Sequence, residues 1–170
     1  MATLQRIRPC LWFTDSVEEA AKFYTSIFKN SSIGDTSYYS EEGQEIHGQP
    51  AGSVMAITFE LDGQPFMALN GGPMFKFSEA ISFAINCTNQ EEVDYYWNKL
   101  SEGGDPNAQQ CGWLKDRFGL SWQVVPEILA KLIDDPDREK ADRVMNAMLQ
   151  MVKLDIAALE RAAAGEGVES

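Results

Sequence analysis

The sequence predicts an α+β protein of two tandem β-α-β-β-β modules followed by a helical C-terminal arm. Three observations predict it. The segment "TDSVEEAAKFYTSIF" (14–28) returns in kind as "CTNQEEVDYYWNKL" (87–100), with Glu18-Glu19 over Glu91-Glu92, Phe23-Tyr24 over Tyr96-Trp97 and Ile27 over Leu100. Self-similarity of this kind marks one supersecondary unit used twice. Apolar runs, "PCLWFT" and "AISFAINC", precede the two copies, and strand-like runs follow each. From Pro126 onward the apolar spacing becomes helical.

The elements follow in order. "PCLWFT" reads as the first strand. The helix after it starts at Asp15 or Ser16, with Glu18 and Glu19 in its first turn. Its apolar stripe is Val17, Ala20, Ala21, Tyr24, Ile27 and Phe28. "GDTSYYSE" is the next strand, and residues 41–52 are a polar, Gly-rich loop. "SVMAITFELDGQPFMALNGG" is a hairpin around Asp62-Gly63, a favoured turn pair. The second half repeats the plan with a shortened middle: a strand over 80–87, a helix over 89–102 capped by Asn89, and strands near 110–115 and 120–125. In the last hairpin, Asp116-Arg117-Phe118-Gly119 reads as a turn with Gly119 at positive φ.

In the tail, Asp135-Pro136-Asp137 starts a helix, and Met145, Met148, Leu149 and Val152 form one packing face. The final "GEGVES" is expected to fray. The expected domain is therefore 1–126, with module one about 5–74 and module two about 78–126, and the arm is 127–164.

Composition narrows the function classes. The chain has 170 residues and a formal net charge of -12. Such a surface repels phosphate backbones and anionic lipid, so no nucleic-acid or membrane partner is expected. No apolar run approaches bilayer length and no signal-type core opens the chain, which points to the cytoplasm. Cys10, Cys87 and Cys111 are odd in number and lack CxxC spacing, so they read as buried thiols. The one histidine, His47, reads as a surface residue of the polar loop.

"LWFTDSVEEAAKFYTSIF", "FELDGQPFMALNGGPMFKFSEAISF", "CGWLKDRFGLSWQVVP" and the tail around "VMNAMLQMVKLDIAALERA" resemble the PhnB-like group. This group is often labelled 3-demethylubiquinone-9 3-methyltransferase. It is part of the vicinal oxygen chelate superfamily, with glyoxalase I, extradiol dioxygenases and bleomycin-resistance proteins. The resemblance implies that the modules form a cupped mixed sheet, helices outside and ligand inside, and a homodimer. Metal enzymes of the superfamily take four inward ligands (His, Gln or Glu) from the first and last strands of each module.

By that resemblance the ligand positions here are Arg8, Ala68 (or Asn70, two residues along), Ser82 and Gln123. Arginine is permanently cationic and alanine has no donor atom. Serine and asparagine are weak ligands beside imidazole and carboxylate. Only Gln123 fits, so no metal is expected. Nor does the chain carry the glycine-rich strand-to-helix turn that opens a doubly wound cofactor fold, and no cofactor is expected.

Strand alternation then assigns one mixed face per strand to the cup. The ligand-binding candidates on it are Trp12, Asn70, Ser82, Asn86, Ser121 and Gln123, with Trp97, Trp113 and Asp116 behind them. A few amides and hydroxyls on an apolar ground suit a small planar organic molecule. No acid–base pair stands out, so no catalytic residue is named. Metal-free binding of a small molecule is the first reading. An enzyme acting on one, including the labelled methyl transfer, is the alternative.

Overall fold

A computed structural model describes residues 4–166. The chain divides into two compact units, one ending at Phe77 and the other beginning at Ser78.

The first unit runs β1 (Cys10–Phe13), α1 (Val17–Ile27), β2 (Ser32–Tyr38), the short α2 (Gln44–His47), β3 (Val54–Leu61) and β4 (Gln64–Asn70). Its sheet has the order β1-β4-β3-β2, with β1 parallel to β4 and the other pairs antiparallel. One face of the sheet is closed by α1. Val17, Ala20, Ala21 and Tyr24 of the helix are fully buried, as is Ala68 of the sheet, with Leu11, Phe13, Ile57, Phe59 and Phe66 nearly so. Each large apolar side chain so buried contributes roughly 1.5–3 kcal/mol. Aromatic rings continue the contact: Tyr24 stacks on Phe59, and Phe59 on Phe66, with centroids 6.3 and 5.4 Å apart. The β3–β4 turn has Asp62 at φ 49 and Gly63 at φ 77, the left-handed pair of a type I′ hairpin.

The second unit runs β5 (Phe83–Cys87), α3 (Gln90–Ser101), a 3-10 turn at Pro106–Ala108, β6 (Trp113–Lys115) and β7 (Ser121–Pro126). Its sheet, β5-β7-β6, again has parallel first and last strands. The counterpart of β2 is missing. The chain from 28 to 53 has room for a strand and a short helix, whereas 102–112 holds only turns. Phe83, Ile85, Cys87, Leu114, Trp122 and Val124 share the α3 side, where Val93, Trp97 and Leu100 meet them.

The strands correspond through Leu11 and Phe13 with Ile85 and Cys87, all buried. The helices correspond through Tyr24 and Ile27 with Trp97 and Leu100. The turn from strand to helix is one residue shorter in the second unit, Thr88-Asn89 against Thr14-Asp15-Ser16.

The tail is three helices: α4 (Ile128–Ile133), α5 (Arg138–Leu149) and α6 (Ile156–Ala164). Asp137 caps α5 as its position predicts, its carboxylate accepting from the Lys140 N–H. Leu129, Val144, Leu154, Leu159 and Ala163 form the cluster's core, with Met148 and Met151 against it. The expected Met145–Val152 face is corrected. The helix stops at Leu149, and Leu149 and Val152 are 53% and 47% exposed. Gly165 at φ 78 ends α6 with a Schellman-type pair, Gly165 N–H to Ala162 and Glu166 N–H to Arg161. The expected fraying of 165–166 is thereby replaced by a cap, and 167–170 lie outside the described residues.

The cysteines differ from expectation. Only Cys87 is buried; Cys10 is exposed and Cys111 intermediate. His47 is not a free surface residue either. Its ring lies 4.7 Å from that of Tyr39, and its Nδ1 accepts from the Gln49 N–H.

Candidate functional site

Residues paired across a sheet share a face, so the strand registers decide which side chains stand opposite the helices. In the first sheet the pairings Cys10–Met67 and Met67–Thr58 put these three side chains in one row on the open side. Trp12 and Leu69 form the next row. In the second sheet the corresponding row is Ala84, Gln123 and Trp113, flanked by Asn86 with Val125 and by Ser121 with Lys115.

Asn86, Ser121 and Gln123 therefore share the side of the second sheet away from α3, and Ser82 joins them through its bond from Gln123, but Ser121 is buried there, at 2% exposure. Asn70 does not lie on an open face. In β4 the expected assignment is inverted: Ala68 and Asn70 point to the helix side, and Met67 and Leu69 point away from it. The reason is local. Asn70 Oδ1 accepts from the Val17 N–H at 3.1 Å and its Nδ2 donates to the Val54 carbonyl at 3.1 Å. Ser16, the residue at the helix cap, makes no side-chain cap bond. Asn70 supplies from the sheet the cap that Asp15 and Ser16 were expected to give. In the second unit Asn89 caps its own helix, accepting from Glu92 N–H at 2.9 Å, and Glu92 answers by accepting from Thr88 N–H at 2.7 Å.

Trp12 is open-side but tied down. Its Nε1–H donates to the Gly72 carbonyl at 2.9 Å, and its ring meets Phe75 edge-on at 4.9 Å. Gly71 is required beneath it, since a Cβ there would stand 2.2 Å from the indole. Trp97 is a helix residue of the core. Asp116 is 2% exposed and belongs to the turn: Oδ1 accepts from the Phe118 and Leu120 N–H groups, and Oδ2 from Trp122 Nε1 at 2.9 Å. Gly119, at φ 85, closes that turn.

Gln123 is the amide that stays available. Its Nε2 donates to Ser82 Oγ at 2.9 Å, and Ser82 is its one partner among the described residues. Trp113 faces it across the β6–β7 ladder. Val124 N–H bonds to the Gly112 carbonyl at 2.8 Å, so Trp113 and Gln123 form a non-hydrogen-bonded pair. In such pairs side chains approach most closely, with Cα atoms about 4.5 Å apart. Lys115, on the same face, is ion-paired with Glu79, whose carboxyl is held below its ordinary range by that hydrogen bond.

The registers also correct the metal-position assignment. The counterpart of Gln123 is Met67, not Ala68, and the counterpart of Ser82 is Arg8. The two pairs even touch alike: Arg8 Nη2 lies 3.5 Å from Met67 Sδ. A guanidinium and a thioether in one sheet, with a hydroxyl and an amide in the other, do not fit the imidazole and carboxylate set of a divalent-metal enzyme. Among the described residues no three His, Cys, Asp or Glu side chains gather to hold a metal ion. No helix among them is long and apolar enough to cross a membrane.

Tandem modules of this topology, helix on one side and an open mixed sheet on the other, define a protein of the vicinal oxygen chelate superfamily. Within it the chain belongs to the PhnB-like family described as 3-demethylubiquinone-9 3-methyltransferase, whose profile matches residues 5–125. The structure of the PhnB protein from Bacillus cereus is 36% identical, with a TM-score of 0.60, and the match covers 72% of this chain and 99% of that one. Protein PA1353 from Pseudomonas aeruginosa is 22% identical, with a TM-score of 0.55, 74% of this chain and 98% of that one being covered. The fosfomycin resistance protein FosX from Listeria monocytogenes is 16% identical at a TM-score of 0.49, with coverage of 77% and 98%. None of the curated proteins matches. The family match ends at residue 125, so α4, α5 and α6 lie beyond it.

Proposed function

We propose that the protein binds a small, uncharged organic molecule on the open face of its second sheet, without a metal. The observation that carries this reading is the Gln123–Ser82 pair, a polar group with unused bonding capacity beside Trp113, Ala84 and Asn86. Asn86, exposed on the same face, flanks it as a further contact, whereas Ser121 is only 2% exposed. Methyl transfer from the usual nucleoside-type donor has less support. The strand-to-helix turns, Thr14-Asp15-Ser16 and Thr88-Asn89, contain no glycine to let the donor's ribose or amino-acid part approach the backbone.

A thermal-shift panel of neutral heteroaromatic molecules, with S-adenosylmethionine as a separate arm, tests the reading. A rise in Tm with neutral compounds, lost in Gln123→Ala, is expected. A rise with S-adenosylmethionine alone would favour the enzyme. The same reading includes a homodimer through the exposed Leu149 and Val152 of the arm, and small-angle scattering showing a monomer would remove it.

A further inference from the structure

We infer that the open face of the second sheet selects a planar lactam or carboxamide, a neutral group with N–H beside C=O, over bare aromatics and over carboxylates. This rests on the binding reading above and names its ligand class.

The amide of Gln123 can donate twice through Nε2 and accept through Oε1. One N–H is committed to Ser82 Oγ. That bond fixes the amide plane and leaves one N–H and the carbonyl oxygen for a ligand. Ser82 accepts in this bond, so its own O–H remains a donor, strengthened because its oxygen is already engaged. The face thus offers two donors and one acceptor within one hydrogen-bonded pair. A carboxylate would satisfy the donors but set its charge against Oε1, in a chain of net charge -12. An aromatic without an N–H, even one with a ring nitrogen, would leave at least two of the three unpaired on desolvation, which is costly. A lactam or carboxamide meets both kinds: its C=O takes a donor and its N–H takes Oε1.

The neighbours in the row complete the site. Trp113, 37% exposed, is the close cross-strand partner of Gln123 and gives a planar wall. Ala84, the partner on the other side, is exposed and small, leaving space over the strand for a ring. In the first sheet the same row is Cys10, Met67 and Thr58, which has no amide and no aromatic ring. The selectivity therefore belongs to the second sheet alone.

Three probes of one shape test this in titration calorimetry and side-chain amide NMR: 2-quinolinone, quinoline and quinoline-2-carboxylate. The lactam is expected to bind about tenfold tighter than either other probe, the size of one to two net hydrogen bonds. It should shift the Gln123 amide and Trp113 indole signals. Gln123→Met, which copies Met67 at the corresponding position, is expected to erase the preference and keep quinoline binding. Trp113→Ala should weaken all three. Equal binding of 2-quinolinone and quinoline, or a preference that survives Gln123→Met, would overturn the lactam assignment while leaving small-molecule binding in place. If none of the probes binds, both fall.

Discussion

Asn70 and Gln123 are amides on the last strands of their modules, and they do opposite work. Asn70 spends its oxygen on the first amide of α1 and its NH2 on Val54. Gln123 spends one N–H on Ser82. Asn70→Ala is accordingly expected to cost about 1–2 kcal/mol, a lost cap plus an orphaned carbonyl. Gln123→Ala should stay within about 0.5 kcal/mol, as surface changes do. Urea denaturation of both variants checks the contrast, and equal losses would contradict it. The sequence could not separate them. Period-2 alternation says which residues share a face, but both faces of "FMALN" are apolar enough to be core, so β4 is read the wrong way round. Only the register with β1 and β3 decides it. Cys87 makes a second residue-scale case. Burial, then the nearby Glu92 charge, pushes its thiol up to about 12. Iodoacetamide at pH 8 followed by mass spectrometry should leave Cys87 unlabelled until the protein unfolds, whereas the exposed Cys10, whose thiol is itself pushed up by partial burial, is labelled in the native state.

At the scale of elements, the arm is stitched to the second sheet, not appended to it. The Met151 and Val152 carbonyls accept from the Cys111 and Gly112 N–H groups at 2.9 and 2.8 Å, and Leu154 fills the space where a Gly112 Cβ would be. Gln90 of α3 donates to the Leu154 carbonyl and accepts from the Ile156 N–H. These bonds hold the turn before Trp113, so the arm positions one wall of the proposed site. Leu154 is fully buried, and Leu154→Ala is expected to cost about 2–5 kcal/mol. The amides of Cys111 and Gly112 should lose hydrogen-exchange protection in that variant; unchanged protection would show the turn to be self-supporting. The pH response follows from the same seam. Asp94 is held below the ordinary carboxyl range, first by its hydrogen bond from Lys153, then by Gln90. A depressed folded pKa contributes stability above the unfolded value, near pH 4, that is lost as pH falls through the folded value. The arm should therefore loosen below about pH 4 in wild type, and Asp94→Asn should flatten that dependence in a circular-dichroism titration. Helical periodicity made the arm legible from sequence, along with the Asp137 cap. Its break at 150–155 was not legible, because Met151, Val152 and Leu154 continue an apolar rhythm while their backbone turns to pair with the 111–112 turn.

For the whole molecule, the repeat carried the fold. Glu18-Glu19 with Glu91-Glu92, and the buried pairs Tyr24 with Trp97 and Ile27 with Leu100, place both helices in the structure as they do in the sequence. The general β-α-β-β-β plan overcounts the second module by one strand, while the reading of strands over 80–87, 110–115 and 120–125 matches its three, because the shorter 102–112 connection forms none. The repeat also makes the metal question answerable by chemistry. Each sheet presents one pair at the positions that metal-dependent members of the superfamily use, Arg8 with Met67 and Ser82 with Gln123. A fixed cation in the first pair repels a divalent ion, and neither pair contains an imidazole or a carboxylate to offset its dehydration. Stripping the protein with a chelator is therefore expected to leave Tm unchanged, and adding zinc, nickel or iron(II) at equimolar ratio should not raise it. The measurement is decisive in size. A metal at a hundred times its Kd stabilises by about 2.7 kcal/mol, which in a chain of this length moves Tm by about 5–10 °C. A shift of that order with any of the three, reversed by Gln123→Ala, would make Gln123 a ligand and the metal-free reading untenable.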